Sequence, residues 1–339
     1  MNEKTFVRNP ETENEEISRS YSEFTVSEEW RRHRSQAYFD YRSHWIDYPS
    51  RHHVSDYPLD LDIEVTSHCN LDCPMCWRTD RLRKDLFGPV EHMDLGLYRK
   101  IVDEAGEGGV AAIKLCLLGE PLMHPNIVEI VRHAKKRGIV DVMFNTNGVL
   151  LTERMANDLL EAGIDSIFIS FDSEERDTYE KIRVGASFEE VVNNVANLYH
   201  LRNSAVKYSH VQIRVSKVVF PHEGQAEVAR FIRFWQDKAD AVGFNTFMKP
   251  SESGSEVAEP GACCDMIWQR MSVMTNGDTL PCCSVNLPLY VLGNLREQSI
   301  HELWHGEKMT RLRESHLSGH YGEIPMCATC DYIRTKKRA

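Results

Sequence analysis

The sequence predicts an α/β protein: a parallel sheet that forms an open, partial barrel of six strand–helix units, followed by a small cysteine-rich domain. Three observations support this prediction. Short apolar runs recur from residue 59 to residue 247, amphipathic stretches of helical length lie between them, and the pattern stops near residue 250. We therefore expect an N-terminal extension at 1–57, the barrel at 58–250 and the second domain at 251–339.

The apolar runs are short, continuous and rich in β-formers, which is typical of strands buried on both faces. They are LDLDIEV from residue 59, then 111–119, 140–145, 165–172, 211–220 and 241–247. The segments LGLYRKIVDEA, NIVEIVRHAKKRG, ERMANDLLEAG, FEEVVNNVANLYHL and GQAEVARFIRFWQDKA predict helices between them. Six such units are too few to close an eight-stranded barrel, so we expect an open one. Its ligands should lie at the carboxyl ends of the strands.

The flanking segments follow other patterns. Residues 1–57 are polar and rich in arginine and aromatic residues. They predict one or two helices that pack on the barrel or cover a site, or else a solvated extension. After residue 250, SESGSEVAEPGA predicts a linker. Beyond it, MSVMTNGDTLPCC predicts a hairpin with Asn-Gly at its turn, and a helix is expected near 299–314.

The composition limits the classes of function. The 339 residues are 42% apolar and 27% charged, with a formal net charge of −11, which disfavours nonspecific binding to nucleic acid or anionic membranes. No apolar run approaches the roughly 20 residues that cross a bilayer, and the N-terminus lacks the apolar core of a secretory signal. We therefore expect a cytoplasmic protein. Its ten cysteines are then better explained as metal or cluster ligands than as disulfides.

Three cysteines, Cys69, Cys73 and Cys76, lie within the stretch SHCNLDCPMCW after the first predicted strand. Thiolates commonly hold [4Fe–4S] clusters, at four per cluster. With three, one iron keeps an open coordination position that a substrate or cofactor can occupy. The alternative is a zinc site completed by a distant fourth ligand or by His68. Cys116 lies inside a predicted strand and is expected to be a small buried side chain.

The C-x3-C-x2-C spacing after the first strand, together with the strand–helix series, resembles the radical S-adenosylmethionine (SAM) superfamily. The resemblance covers roughly residues 59–247. It implies that SAM binds the open iron of a [4Fe–4S] cluster and is cleaved to a 5′-deoxyadenosyl radical that abstracts hydrogen from substrate. It also implies a flavodoxin- or ferredoxin-type electron donor. Met75 stands where many members carry an aromatic residue, and a methionine can also pack against adenine.

The resemblance assigns further residues at strand ends to SAM. Leu118-Gly119-Glu120-Pro121 resembles the Gly-Gly-Glu motif, with leucine for the first glycine, so Glu120 and a backbone carbonyl would accept hydrogen bonds from the SAM ammonium. A simple strand-end turn is the alternative. A charged residue inside a buried run needs an anion, which for Arg214 is either the SAM carboxylate or an internal carboxylate. The full set of predicted SAM contacts is Gly119, Glu120, Asn145, Asn147, Ser170, Asp172 and Arg214.

A second group of cysteines follows residue 250. Cys264, Gly277 and Cys282 form C-x12-G-x4-C, and Cys327 and Cys330 form C-x2-C. The pattern resembles the SPASM and Twitch extensions of radical SAM enzymes, which implies that these four cysteines hold one auxiliary [4Fe–4S] cluster. DYIRTKKRA follows without cysteine, so a second auxiliary cluster is not expected. A four-cysteine zinc site fits the spacing too, and the neighbours Cys263 and Cys283 are alternative ligands.

The layout resembles most the Twitch enzymes that dehydrogenate aminocyclitols, of the 2-deoxy-scyllo-inosamine type in aminoglycoside biosynthesis. The resemblance implies oxidation of a secondary alcohol in an aminocyclitol, cyclitol or sugar-like substrate, with the auxiliary cluster accepting the second electron. Arg214 and Lys249 are the candidate catalytic residues, with Lys217 as a further basic group. The alternatives are a radical epimerase with Cys263 or Cys283 as thiol donor, a peptide-modifying enzyme, and a zinc-bearing scaffold without activity.

Overall fold

The computed structural model describes residues 21–79, 89–246, 263–284, 290–328 and 330–334. The chain divides into two compact units, each assembled from separated segments. The first unit comprises Met1–Arg34, Cys69–Pro89 and Phe144–Met248. The second unit comprises Ser35–His68, Val90–Met143 and Lys249–Ala339. Lys249 and the predicted linker lie outside the described residues, so their predicted roles stay predictions.

Strands and helices alternate through most of the described chain. The strands are β1 Tyr21–Thr25, β2 Asp60–Ile63, β3 Ala112–Lys114, β4 Asp141–Thr146, β5 Ser166–Ser170, β6 Gln212–Val219, β7 Ala241–Thr246, β8 Arg270–Val273, β9 Asp278–Leu280 and β10 Gly293–Asn294. The α-helices are α1 Gln36–Ser50, α2 Leu95–Glu107, α3 Ile127–Lys136, α4 Glu153–Ala162, α5 Arg176–Ile182, α6 Phe188–Asn203, α7 Gln225–Trp235, α8 Ile300–Trp304, α9 Glu307–Leu317, α10 Pro325–Ala328 and α11 Asp331–Arg334. In the described part of the chain, every helix is too short or too polar to act as a membrane span.

In the first unit, β5, β6 and β7 form a parallel sheet, and β1 adds to β7 as an antiparallel edge strand. Alternate residues of β5 and β6 face a helical layer and are fully buried against it. They are Ile167, Ile169, Ile213 and Val215. Phe171, which follows β5, stacks on Tyr179 of α5 with ring centroids 4.1 Å apart. Because this core covers one face of the sheet, the polar side chains of these strands lie on the opposite face.

In the second unit, β4, β3 and β2 are parallel and continue into β8, which is parallel to β2. The hairpin partner β9 is antiparallel to β8, and β10 is antiparallel to β9. Gly277 at the hairpin turn has φ of +94°, a backbone conformation that glycine adopts readily. The cysteine-rich C-terminal segment therefore extends the sheet of this unit as well as forming its own helices.

The predicted fold class is confirmed, with β2 to β7 at the six predicted strands. β3 is shorter than predicted because the N–H groups of Leu118 and Gly119 donate to the Glu64 carboxylate. The N-terminal segment forms α1, as expected, but also the strand β1, which the prediction missed. The single helix expected near 299–314 is two helices, α8 and α9, because the chain turns at Gly306, where a Cβ would lie 2.8 Å from the Glu302 carbonyl oxygen.

Candidate iron–sulfur and cofactor sites

The loop with the first three cysteines belongs to the first unit and is folded as a series of tight turns. The Cys76 N–H donates to the Cys73 carbonyl at 3.0 Å, and the Thr79 hydroxyl donates to the carbonyls of both cysteines at 2.8 Å. Cys73 is buried, whereas Cys69 and Cys76 are half-buried. Two half-exposed thiols and one buried thiol at the end of a strand suit a cluster with one accessible iron.

Hydrogen bonds from the end of α5 and from the turn after β4 support this loop. The Asp72 N–H donates to the Val184 carbonyl at 3.0 Å, and the Asn147 side-chain amide donates to the Asn70 side chain at 2.7 Å. Gly185 has φ of +100°, and a Cβ there would lie 3.3 Å from the Asn70 carbonyl oxygen. Asn147 thus lies against the cysteine loop, and its predicted contact with SAM stays a prediction.

Asp172 and Arg183 form an ion pair beside Cys73. The Arg183 Nε donates to Asp172 Oδ2 at 2.6 Å, and the Val218 N–H donates to Oδ1 at 2.8 Å. Arg183 Nη1 lies 4.0 Å from the Cys73 sulfur. Burial raises the pKa of Cys73, and the charge of Arg183 opposes that rise. Asp172, predicted as a SAM contact, therefore positions Arg183, a residue that no sequence signal separated from the other arginines.

The polar face of the first unit's sheet carries several of the predicted residues. Ser170 is aligned with Ser216 and Phe168 with Arg214 across β5 and β6. The Arg214 guanidinium lies 3.7 Å from the Phe168 ring centroid and 3.3 Å from the Glu23 carboxylate in β1. The Ser216 hydroxyl is buried and has no hydrogen-bond partner among the described residues. Arg214 therefore has an internal carboxylate partner, as the alternative interpretation expected.

Lys217 and Asn145 lie elsewhere in the same unit. Lys217 is on the helix-facing side of β6, 1% exposed, with its ammonium 2.5 Å from Glu223 and 5.2 Å from the Phe231 ring centroid. A catalytic role for Lys217 would require breaking a buried ion pair. Asn145 is half-buried near the end of β4, and its contact with SAM stays a prediction.

In the second unit, Gly119 packs against the backbone that leads to the first cysteine. A Cβ at Gly119 would lie 2.0 Å from the Thr66 carbonyl oxygen, so no other residue fits without a backbone shift. The Glu64 carboxylate is buried and accepts the N–H groups of Leu118 and Gly119, each at 3.2 Å. This explains the glycine of the motif structurally, and it identifies Glu64 as a supporting residue that the sequence analysis missed.

Glu120 is part of the same turn. Its N–H donates to the His68 carbonyl at 2.8 Å, and its carboxylate accepts the Leu122 N–H at 3.2 Å. The side chain is 3% exposed. The turn thereby joins the end of β3 to the residue before Cys69, which the sequence spacing alone did not reveal. The predicted contact between Glu120 and the SAM ammonium stays a prediction.

The second unit also has a charged sheet face. The Arg270 guanidinium lies 3.1 Å from Asp62 Oδ2, the Ser272 hydroxyl donates to the same oxygen at 3.2 Å, and the Lys114 ammonium is 3.7 Å from Oδ1. Burial, with the charge of Asp62 second, raises the pKa of Asp60 to about 7. The sequence stretch DLDIE could have indicated this charged face, because its acidic residues alternate and a period of two places them on one face of a strand.

The four cysteines predicted for the auxiliary cluster line one cavity in the second unit. They are Cys264, Cys282, Cys327 and Cys330. Cys263 and Cys283 are not among the described residues that line it, and the Cys283 sulfur lies 3.8 Å from the Met266 sulfur. The geometry therefore supports Cys264 and Cys282 over their neighbours, and the ligand assignment stays a prediction.

The environment of this cavity is apolar apart from a few groups. Met266, Ile267, Met326 and Ile333 lie in its wall. Burial raises the pKa of Cys264 and Cys282, raises that of Cys327 to about 12, and lowers that of the adjacent His316 to about 4. Thiols in such a wall become thiolates when a metal replaces the proton, so the donor set fits an enclosed iron–sulfur cluster.

The two cysteine sites share one geometric feature. Among the described residues, no group of three or more His, Cys, Asp or Glu side chains is arranged to hold a single metal ion. In a [4Fe–4S] cluster each thiolate binds a different iron atom, so the sulfurs are spread around the cluster rather than around one ion. Three donors at the loop and four at the cavity match the numbers that such clusters use.

Curated proteins similar to this chain in sequence include a cofactor-modifying protein and GTP 3′,8-cyclases. A tungsten-containing aldehyde ferredoxin oxidoreductase cofactor-modifying protein of Pyrococcus furiosus is 26% identical over 81% of this chain and 89% of its own length. A GTP 3′,8-cyclase of Lactiplantibacillus plantarum is 30% identical over 59% of this chain. This chain spans 57% of the length of that cyclase.

Solved structures that share the fold include BtrN and SuiB. BtrN in complex with AdoMet and 2-DOIA superposes with a TM-score of 0.54 at 20% identity, covering 83% of this chain and 96% of BtrN. Streptococcus suis SuiB bound to its precursor peptide SuiA superposes with a TM-score of 0.58 at 15% identity, covering 86% and 74%. At these identities the likeness concerns the fold alone.

Family models match both parts of the chain. The model of an iron–sulfur cluster-binding domain matches residues 263–331, and the Radical SAM superfamily model matches residues 63–234, about half of the chain. These matches confirm the predicted cofactors, SAM and iron–sulfur clusters, for the two regions that carry the two sets of cysteines. The chain belongs to the radical SAM superfamily.

Proposed function

We propose that the protein oxidises a secondary alcohol of an aminocyclitol, cyclitol or sugar-like substrate to a ketone. The main support for this proposal is the four-cysteine cavity, whose cysteines are separate in sequence from those of the three-cysteine loop. When bound, SAM and its cluster supply a 5′-deoxyadenosyl radical, and the auxiliary cluster supplies a one-electron acceptor. A protein with both groups can remove a hydrogen atom and then an electron from one carbon.

Oxidation also requires that the alcohol lose its hydroxyl proton. The Arg214–Glu23 pair on the polar face of the first unit is our candidate for this step. The Arg214 guanidinium would orient the hydroxyl and stabilise the developing negative charge, and the Glu23 carboxylate would accept the proton. Each turnover then removes one hydrogen atom, one proton and one electron, which is the balance of a two-electron oxidation. Lys249 remains a second basic candidate.

Several features support a small polar substrate. BtrN, which shares the fold, was crystallised with AdoMet and 2-DOIA. The buried hydroxyl of Ser216 and the charged pair beside it offer hydrogen bonds of the kind that a polyol or aminocyclitol needs. We further propose a cytoplasmic location and a flavodoxin- or ferredoxin-type electron donor, with no nucleic acid or membrane partner. The net charge of −11 is consistent with these proposals.

A second candidate function is modification of another enzyme's cofactor. The Pyrococcus furiosus relative, whose name describes such a role, aligns over most of both chains. Peptide modification is a further alternative, since SuiB was crystallised with a precursor peptide. Epimerisation requires a thiol near the substrate, and Cys283, whose sulfur lies by Met266 and outside the four-cysteine cavity, is the candidate.

Turnover in deuterium oxide separates these functions. The reconstituted protein, SAM and a reductant would be incubated with panels of aminocyclitols, sugars, GTP and peptides, and the products analysed by mass spectrometry. Dehydrogenation gives a product about two mass units lighter than the substrate, because two hydrogens leave. An isomer of unchanged composition with one deuterium on carbon, lost in Cys283→Ala, would instead establish an epimerase. Product formation from GTP or a peptide alone would overturn the proposed substrate class.

A further inference from the structure

A histidine lies in the wall of the four-cysteine cavity. His316, near the end of α9, is 2% exposed and lines the cavity together with the four cysteines. The stretch RESHLSGHY that contains it carries no metal-binding motif, and the ligand assignment above does not use it. A buried imidazole in a largely apolar wall needs an explanation, because unpartnered polar groups are costly to bury.

The two ring nitrogens of His316 have different environments. Nδ1 accepts the backbone N–H of Cys264 at 3.4 Å. A neutral imidazole that accepts at Nδ1 carries its proton at Nε2. Nε2 is buried and has no hydrogen-bond partner among the described residues. The ring of Tyr321 stacks on the imidazole at a centroid distance of 5.4 Å and an interplanar angle of 22°, which restricts rotation of the ring.

The described cavity wall offers few acceptors for this proton. Besides the cysteines and His316, its polar side chains are Ser284 and Tyr332, and the Ser284 hydroxyl lies 3.9 Å from the Cys330 sulfur. The sulfur atoms of an iron–sulfur cluster are hydrogen-bond acceptors, and such bonds raise the reduction potential because they stabilise the added electron. An N–H donor at the edge of the cluster site therefore has both a partner and a consequence.

We propose that His316 donates its Nε2 proton to a sulfur of the auxiliary cluster and thereby raises the potential of that cluster. The inference rests on the proposed function in one respect: a higher potential makes the cluster a better acceptor for the electron that leaves the substrate. His316 would thus change the potential of the cluster without binding its iron. The hydrogen bond itself does not depend on which substrate the protein oxidises.

The variants that test this are chosen by donor geometry. His316→Phe keeps a ring to stack on Tyr321 but has no donor. His316→Gln places an amide donor near the position of Nε2. His320→Phe is the matched control, because His320 lies four residues away, is exposed and contacts the Ser318 hydroxyl. All three would be made in the full chain and reconstituted anaerobically with iron and sulfide.

Redox titration followed by electron paramagnetic resonance gives the first readout. The signal of the auxiliary cluster is the one that does not change when SAM is added. At a fixed potential we expect its reduced-to-oxidised ratio to fall about tenfold in His316→Phe, equivalent to about 59 mV for one electron. His316→Gln should recover most of the ratio, and His320→Phe should match the parent protein.

Pulsed resonance after exchange into deuterium oxide gives the second readout. We expect a coupled deuteron in the parent protein and in His316→Gln, and its loss in His316→Phe. An unchanged potential and deuteron coupling in His316→Phe would overturn the proposal. So would loss of the auxiliary cluster in both His316 variants with a normal His320→Phe, because His316 would then bind iron or support the fold. A shifted potential without ketone formation would reject the proposed function and keep the hydrogen bond.

Discussion

Removing Arg183 should destabilise the first unit and its cysteine loop together. In the described structure the Asp172 side chain is fully buried, and Arg183, 14% exposed, is its ion-pair partner at 2.6 Å. Arg183→Met would leave a buried carboxylate that keeps the Val218 N–H. Breaking a buried pair from one side costs about 3–5 kcal/mol, because an uncompensated charge remains. We expect the free energy of unfolding to fall by that amount.

A second buried pair in the same unit provides the matched control. Arg202 forms two hydrogen bonds with Asp240, at 2.9 and 3.0 Å, and the two side chains are 5% and 3% exposed. Arg202→Met should therefore cost a similar ~3–5 kcal/mol. The difference between the two sites is local: Arg183 lies 4.0 Å from the Cys73 sulfur. We therefore expect Arg183→Met, but not Arg202→Met, to lose iron from the cluster at the three-cysteine loop and to lose 5′-deoxyadenosine formation.

The assay combines anaerobic urea unfolding, iron analysis and 5′-deoxyadenosine measurement on reconstituted protein. The double variant Asp172→Asn with Arg183→Met should regain most of the lost stability, because no charge remains buried. The double variant should not regain 5′-deoxyadenosine formation, since the cation beside Cys73 is still missing. A free energy of unfolding for Arg183→Met within about 1 kcal/mol of the parent value, the size of a surface pair, would contradict this prediction. Loss of the same iron from Arg202→Met would contradict it as well.

Three further predictions concern backbone fit, pH and metal content. Gly119→Ala forces a Cβ to 2.0 Å from the Thr66 carbonyl oxygen, so we expect about 1–3 kcal/mol or more of destabilisation in urea unfolding and loss of 5′-deoxyadenosine formation. Gly109→Ala is the control: its φ is +77° but its Cβ would lie in open space, so it should cost about 1–2 kcal/mol and keep 5′-deoxyadenosine formation. Asp60 has a pKa raised to about 7, so the folded state binds its proton more tightly than the unfolded state does. Its stabilising contribution is present below about pH 4 and is lost as pH rises towards 7. Asp60→Asn should flatten that decline in unfolding experiments from about pH 4 to pH 7, and an identical pH profile would contradict this. The reconstituted chain should hold about eight irons, and Cys264→Ala about four, by iron and sulfide analysis; a parent value near four would contradict the assignment of two clusters.

The sequence was sufficient to predict what depends on local pattern. The strands from β2 to β7 were predictable because each buries a short apolar run, and the turn at Gly277 because Asn-Gly favours hairpins. The choice between Cys264 and Cys263, and between Cys282 and Cys283, could not be made from spacing. Adjacent residues point in different directions, and the direction depends on how the surrounding segments pack.

The supporting residues were less predictable because their partners are distant in sequence. Arg183 matters through Asp172 and Cys73, and His316 through the backbone of Cys264. Glu23 was missed because the short strand β1 gains its stability by pairing with β7, which no local pattern reveals. Contacts of this kind arise from the tertiary fold rather than from residue type.

The contrast between the two cysteine sites supports different chemical roles for them. The loop offers three thiols, two of them half-exposed, with the guanidinium of Arg183 beside the third. The cavity offers four thiols, three of them buried, with a largely apolar wall that includes one imidazole. A metal site with fewer protein ligands and solvent access can bind a reacting molecule, whereas a fully ligated, enclosed one is suited to holding or passing an electron. Ligand number and burial are therefore both consistent with the proposal of SAM chemistry at the loop and electron acceptance at the cavity.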